Sequence, residues 1–298
     1  VSITSRLTAV RAAVQGALRR TGERPRRTPP AYLTDSPPAR QGWPLGFAHR
    51  GADVHRENTL AAFRAAHEAG FAYLELDVRT TADGELVVFH DDTLDRVSTG
   101  RGRIAEHSWA ELASVRVGGE PLLRFADLLT ALPEARLNVD LKDDDGAVAM
   151  ARLLAEHGAW DRVLVASFHD SRRRALRSAL AELGHPERAA GPARVATSGG
   201  AAAVAALVAL GPLGLTRAVR RLLDVDCVQV PLRQGPVPVV RPAFVRRAQA
   251  AGLAVHVWVV DDPGEMERLL DMGVDGIMTD RADVLAEVFT RRGIWPQR

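Results

Sequence analysis

The chain has 298 residues, 46% hydrophobic and 26% charged, a soluble globular composition that argues against global disorder. Its longest apolar stretch, residues 199–215, is short of a membrane span and contains Pro212; the single cysteine, Cys227, excludes an internal disulfide and any multi-cysteine zinc site. Lys plus Arg is 39 and Asp plus Glu is 37, net +2, but residues 1–42 hold eight arginines against two acids, which leaves the remainder at −4 and removes the argument for a nucleic-acid partner.

Within that leading segment Ile3, Leu7, Val10, Val14 and Leu18 recur at helical spacing with arginines on the rest of the circle, which predicts a basic amphipathic helix. The expectation is a helix packed on the folded body or a frayed tail; peripheral contact of residues 1–20 with an anionic membrane is the alternative. Six prolines between 25 and 44 predict an extended linker. The domain reading is therefore a basic arm and linker over 1–42 and one folded domain over 43–298.

From Leu45 short apolar runs alternate with helical ones. Predicted strands are Leu45–His49, Tyr73–Val78, Leu86–His90, Leu137–Leu141, Val163–Phe168, Arg194–Thr197, Cys227–Pro231, Ala254–Val260 and Gly276–Thr279. Predicted helices include Thr59–Ala69, Ala147–Glu156, Ser171–Leu183, Ala243–Ala250 and Pro263–Met272, the first capped by Asn58 or Thr59 and ended by Gly70. This alternation in about 250 residues predicts an α/β fold, a TIM-like (β/α)8 barrel, over an open sheet. Leu86–His90 follows its predecessor across the turn Ala82-Asp83-Gly84 and is an extra strand or a hairpin arm. Cys227, in a strand context, reads as a buried structural thiol.

Side chains in a strand alternate between faces. Leu74, Leu76 and Val78 share one face of their strand, and Glu75 and Asp77 share the other. Asn138, Asp140 and Lys142 repeat the pattern. The aliphatic faces suit a helix layer, which turns three carboxylates inward. Unpaired buried carboxylates are costly, so a cation is expected among them; a salt-bridge layer closed by Arg79 and Lys142 is the structural alternative. Lys142 is the only lysine, against 38 arginines, which points to a need for a compact point charge. His49 and His90 end apolar strands, where imidazoles are placed for proton transfer; with Arg50 and the acids they form a kit for phosphate chemistry. His256 shares an inward face with Trp258 and reads equally as a core histidine or a ligand.

The run His49-Arg50-Gly51, Glu57-Asn58-Thr59, Phe63, Gly70, Glu75-x-Asp77-Val78, Thr81-x-Asp83-Gly84, Val87, His90-Asp91, Leu94, Arg96 and Gly100 resembles the glycerophosphodiester phosphodiesterase family. So do Asn138-Val139-Asp140-Leu141-Lys142, Ser167-Phe168, Val257-Trp258-Val259 and Gly273-Val274-Asp275-Gly276-Ile277-x-Thr279-Asp280, in order. The resemblance covers roughly 45–290 and leaves the arm outside. It implies a TIM-like barrel of the compact bacterial cytoplasmic type, hydrolysing glycerophosphodiesters to glycerol 3-phosphate and an alcohol. It also implies His49 and His90 as the acid–base pair, and Glu75, Asp77 and Asp140 on a divalent cation, Mg2+ or Ca2+. Arg50 and Lys142 are then on the phosphate and Trp258 along the cleft. The chain departs from the family at Asp140, where Glu is usual, and at Arg56, Asp261 and Arg281.

The long apolar segment Ala201–Leu215 reads as an ordinary barrel helix with an extra turn, and as an apolar lip for lipid tails in the sharper alternative. Lysophospholipase D-like hydrolysis at a membrane surface is accordingly the second functional reading. A barrel that binds phosphorylated ligands without turnover is the third, and intact His49, His90 and the three acids weigh against it. The sequence carries no signal for oligomeric state.

Overall fold

The computed structural model describes residues 28–184 and 193–298; the helix expected over 1–20 lies outside the described residues. Eight parallel strands close into a barrel: β1 (Leu45–His49), β2 (Tyr73–Thr80), β4 (Arg136–Leu141), β5 (Val163–Ala166), β6 (Ala196–Gly199), β7 (Cys227–Pro231), β8 (Ala254–Trp258) and β9 (Gly276–Thr279). The ring closes because β1 pairs with both β9 and β2. β3 (Leu86–Val88) lies antiparallel to the last residues of β2, Val78 opposite Val88, so the run expected over Leu86–His90 is a hairpin arm outside the ring. The other strands fall within two residues of their expected bounds, β6 shifting from 194–197 to 196–199.

Helices lie between most successive strands. They include α1 (Leu60–Ala69), α2 (Phe125–Ala131), α3 (Gly146–Glu156), α4 (Asp170–Glu182), α5 (Ala201–Leu210), α6 (Thr216–Leu223), α7 (Pro242–Ala250), α8 (Pro263–Met272) and α9 (Ala282–Arg291). Thr59 is the cap of α1, its hydroxyl accepting the Ala62 N–H, and Gly70 ends it. Leu74, Leu76, Val78, Leu137, Val139 and Leu141 point outward and join Phe63, Leu128, Met150 and Leu154 of the helices in one buried cluster. Among the described residues no helix is long and apolar enough to cross a membrane.

The barrel interior is layered. At its N-terminal end Phe47, Tyr73, Leu164, Ala196, Cys227 and Met278 pack together. Above them the fully buried His256 packs against Phe47, the ring centres 4.9 Å apart and the planes tilted by 46°, and Gln229 donates to Asn138 Oδ1 at 3.0 Å. Burial pushes His256 down to about 3 and the Cys227 thiol up. Cys227 is thus a buried structural thiol, and His256 a neutral core side chain. Above this amide layer come the charged groups at the barrel mouth.

The base of the barrel corrects one expectation. Residues 31–40 are not extended: Ala31–Thr34 and Pro37–Arg40 are helical turns. Pro37 and Pro38 occupy the first helical positions after a Ser36 cap, where a missing N–H costs nothing. Tyr32 is fully buried, edge-on to Tyr73 at 5.2 Å. Tyr73 Oη lies 2.7 Å from the Tyr32 carbonyl and from Ser36 Oγ, and Arg136 donates to the Ala31 and Asp35 carbonyls. These turns plug the barrel's lower end. Tyr32→Ala is expected to destabilise the fold by about 3–5 kcal/mol, the cost of emptying an aromatic site, measured as a lowered urea midpoint; an unchanged midpoint would mean the plug adds nothing to the domain.

Candidate active site

Register brings the acids together before any side chain is considered. His49 is paired with Glu75 across β1 and β2, and Asp77 with Asp140 across β2 and β4. With Arg50, His90, Lys142, Phe168 and Trp258 they line one cavity of about 610 Å³ at the C-terminal end of the barrel, where barrel enzymes build their sites. Every residue singled out from the sequence for catalysis, substrate contact or metal binding lies on this one surface.

The loop after β1 turns sharply. Arg50, Ala52 and Asn58 have φ of 51°, 53° and 60°, in the left-handed region that non-glycine residues rarely adopt. Gly51, at φ 84°, has no room for more: a Cβ there would stand 2.7 Å from the Ala62 Cβ. The turn lets the Arg50 N–H donate to Glu75 Oε2 at 3.2 Å and sets Arg50 Nε 3.0 Å from Asp77 Oδ2. Asn58 Nδ2 donates to the same Asp77 oxygen at 3.0 Å and its Oδ1 accepts the Asp77 N–H at 3.3 Å.

Lys142 Nζ stands 2.8 Å from Asp77 Oδ1 and 2.6 Å from Asp140 Oδ2. Half of the expected salt-bridge layer is therefore present; Arg79 instead donates to the His90 carbonyl and pairs with Asp92. Burial raises Asp77, but Lys142 and Arg50 outweigh it and hold the carboxyl below its ordinary value. Burial prevails for Asp140, which is raised. Glu75, 6% exposed, is pushed to about 7, first by burial and further by Asp77, against the pull of His49. A buried carboxyl displaced that far is short of positive charge.

Among the described residues no three carboxylate, imidazole or thiol groups already stand together as a metal-ligand set. The chemistry of the donors nonetheless fits a hard divalent cation: they are carboxylate oxygens on adjacent strands facing one cavity, and Glu75 stays raised despite the pull of His49 and Lys142. Lys142 holds the place between the other two, and its stem can turn the ammonium toward the cavity.

Both imidazoles are anchored by carboxylates the sequence reading did not assign. His49 Nδ1 is 2.7 Å from Asp280 Oδ1, with its Nε2 3.7 Å from Glu75 Oε2. His90 Nδ1 is 2.6 Å from Asp91 Oδ1. Burial lowers His49, but Glu75 and Asp280 outweigh it and the imidazole is raised. Asp280 is itself fixed by Asp261, which accepts from the Asp280 N–H at 2.9 Å and the Thr279 hydroxyl at 2.8 Å. Arg96 bridges Asp91 to Glu57, and Glu57 also accepts from Arg50. Hydrogen bonds to Arg96 hold Asp91 down at about 2. Strand-end position was the available signal for Asp280 and adjacency to His90 for Asp91. Asp261, where the family usually has Asn, offered no local signal.

The opposite cavity wall is apolar. Phe168 meets Trp258 edge-on at 5.9 Å, and Ala201, Val204, Ala205 and Val208 of α5 face the same space with Val237 and Val239. The segment after β6 is thus the expected helix, with a 3-10 turn at Gly211–Leu213, and it also borders the cleft.

A barrel closed around buried acids, with two carboxylate-anchored imidazoles and two cations at one mouth, defines a hydrolase-type site for an anionic substrate. The family model for the glycerophosphoryl diester phosphodiesterase family matches residues 49–284, and the chain belongs to that family of phosphoric diester hydrolases. A relative from Mycobacterium tuberculosis, a probable glycerophosphodiester phosphodiesterase 2, is 40% identical over 260 residues, covering 86% of this chain and 94% of its own. The crystal structure of glycerophosphodiester phosphodiesterase from Agrobacterium tumefaciens is 26% identical with a TM-score of 0.65, over 82% of this chain and 99% of that one. A phosphodiesterase from Oleispira antarctica, solved in complex with the product sn-glycerol-3-phosphate, shares the fold at 22% identity and TM-score 0.65, over 84% and 98%.

Proposed function

We propose that this enzyme hydrolyses glycerophosphodiesters to glycerol 3-phosphate and an alcohol, with His49 and His90 as the acid–base pair and Mg2+ or Ca2+ held by Glu75, Asp77 and Asp140. The observation that carries the reading is the pair of carboxylate-anchored imidazoles on one cavity with the buried acids, Arg50 and Lys142. The names of the similar proteins support the substrate class, and the bound product of the Oleispira antarctica enzyme fits it.

A phosphodiester is an anion that resists attack until its charge is offset. Arg50 and Lys142 supply fixed positive charge beside the cavity. A divalent cation held by Glu75, Asp77 and Asp140 would supply further charge neutralisation for the phosphate. Each imidazole has Nδ1 committed to a carboxylate, which leaves Nε2 for substrate. One Nε2 takes the proton from the attacking hydroxyl and the other delivers a proton to the departing alkoxide. Trp258 and Phe168 bound the cleft on the far side.

The test is turnover of glycerophosphocholine and of simple glycerophosphoalkyl esters by the purified full chain, followed as glycerol 3-phosphate released; a chain that releases none from any of them with either ion present contradicts the reading. Asp280 acts through His49 as a positioning residue. Asp280→Ala is expected to lower kcat by about 10²-fold, the scale of an angstrom-size misplacement, with KM little changed and the His49 titration shifted downward in NMR. Unchanged kcat and titration would remove that role.

A further inference from the structure

The chemistry proposed above uses one half of the cavity only. Helix α5 has the sequence Ala-Ala-Ala-Val-Ala-Ala-Leu-Val-Ala-Leu, with no polar side chain on any face. A helix apolar all round belongs in a protein interior. Ala203 and Leu207 are indeed buried, but Ala201, Val204, Ala205 and Val208, spaced i, i+3, i+4, i+7, line the cavity, Val204 and Val208 with one side against the core as well. The same wall carries two of the most exposed large apolar side chains among the described residues, Phe168 at 51% and Val237 at 46%. No acid lines the cavity on this side, and the base nearest it is Lys142, whose ammonium stands 5.8 Å from the Phe168 ring centre, while His49, Arg50, Glu75, Asp77, His90 and Asp140 crowd the other.

We propose that the released alcohol is apolar: the preferred substrates are glycerophosphodiesters whose second ester carries a hydrocarbon chain, laid along the α5 stripe. The inference rests on the hydrolase reading above and adds the substrate class. Phosphate and glycerol hydroxyls find their partners in the charged half. The remaining substituent then points at a mainly apolar surface, whose polar side chains, such as Ser198 and Gln234, are uncharged and few beside the apolar area available to bury. Water adds across the P–O bond to the chain, its hydroxyl going to phosphorus and a proton to the leaving oxygen, which yields glycerol 3-phosphate and the n-alkanol.

The test is a series of glycerophospho-n-alkyl esters, ethyl, butyl, hexyl and octyl, all below their micelle concentrations, with glycerophosphocholine as the polar comparison. Each buried methylene contributes about 0.8 kcal/mol, roughly four-fold, so kcat/KM is expected to climb about 10-fold or more per two carbons from ethyl to hexyl. Val208→Gln, which touches none of the reacting groups, is expected to flatten that climb and leave the ethyl ester within about two-fold of wild type. A wild-type profile independent of chain length, with the ethyl ester still cleaved, overturns the inference and leaves the hydrolase reading standing. Faster cleavage of the choline ester than of the hexyl ester overturns it too, assigning Phe168 and Trp258 to an ammonium head group. Failure to cleave any ester overturns both readings. The wild-type series decides the matter even if the variant does not fold.

Discussion

Replacing either His49 or His90 with alanine is expected to lower kcat on glycerophosphocholine by about 10²–10⁴-fold, the usual worth of a positioned acid or base, with far-ultraviolet circular dichroism unchanged. The two side chains lie at the cavity edge, 14% and 34% exposed, so their removal opens space to solvent and leaves the barrel core intact. Their anchors, Asp280 and Asp91, are 35% and 24% exposed and can be rehydrated. The losses in the double variant are expected to fall short of the product of the single ones, because both groups serve one proton-transfer sequence. Wild-type rates in either single variant would remove that histidine from the chemistry.

Stripping divalent ions with EDTA, followed by exchange into metal-free buffer, is expected to bring turnover to background, and Mg2+ or Ca2+ to restore it. Burial first, and then the neighbouring Asp77 and Asp140, push Glu75 up to about 7, and burial likewise raises Asp140. An ion that relieves both binds the folded chain and not the unfolded one, so Tm is expected to rise with ion concentration. Glu75→Gln lacks that countercharge demand and is expected to show a smaller rise. Activity that persists without metal would exclude the ion from the reaction.

The parts legible in the sequence are those where periodicity reports direction. Alternation in 73–78 and 137–142 gave the inward face of β2 and β4, hence Glu75, Asp77, Asp140 and Lys142 on one cavity. Strand-end position gave His49 and His90. The groups that orient them were legible at most as positions, Asp280 next to a strand end and Asp91 beside His90, and not as partners. Asn58, Asp261 and Asp280 sit beyond strand ends, where no period says which way a side chain points, and Asp261 reaches its partners 18 and 19 residues away. The ammonium between Asp77 and Asp140 was foreseen only as part of an alternative. Prolines between 29 and 38 read as a linker because their local meaning is ambiguous. Their helical turns are fixed by contacts with Tyr73 and Arg136, 37 to 105 residues away. Segment 201–215 was legible as a helix, but its uniform apolarity hid which stripe would face the cleft.

A crystal structure of the chain grown with Mg2+ or Ca2+ and glycerol 3-phosphate tests the shared site most directly. The expected result is an ion bound by Glu75, Asp77 and Asp140, the Lys142 ammonium drawn off Asp140 toward phosphate, and an imidazole Nε2 within hydrogen-bond reach of a phosphate ester oxygen. Lys142 still wedged between the two aspartates, with ion and phosphate seated elsewhere, would contradict it.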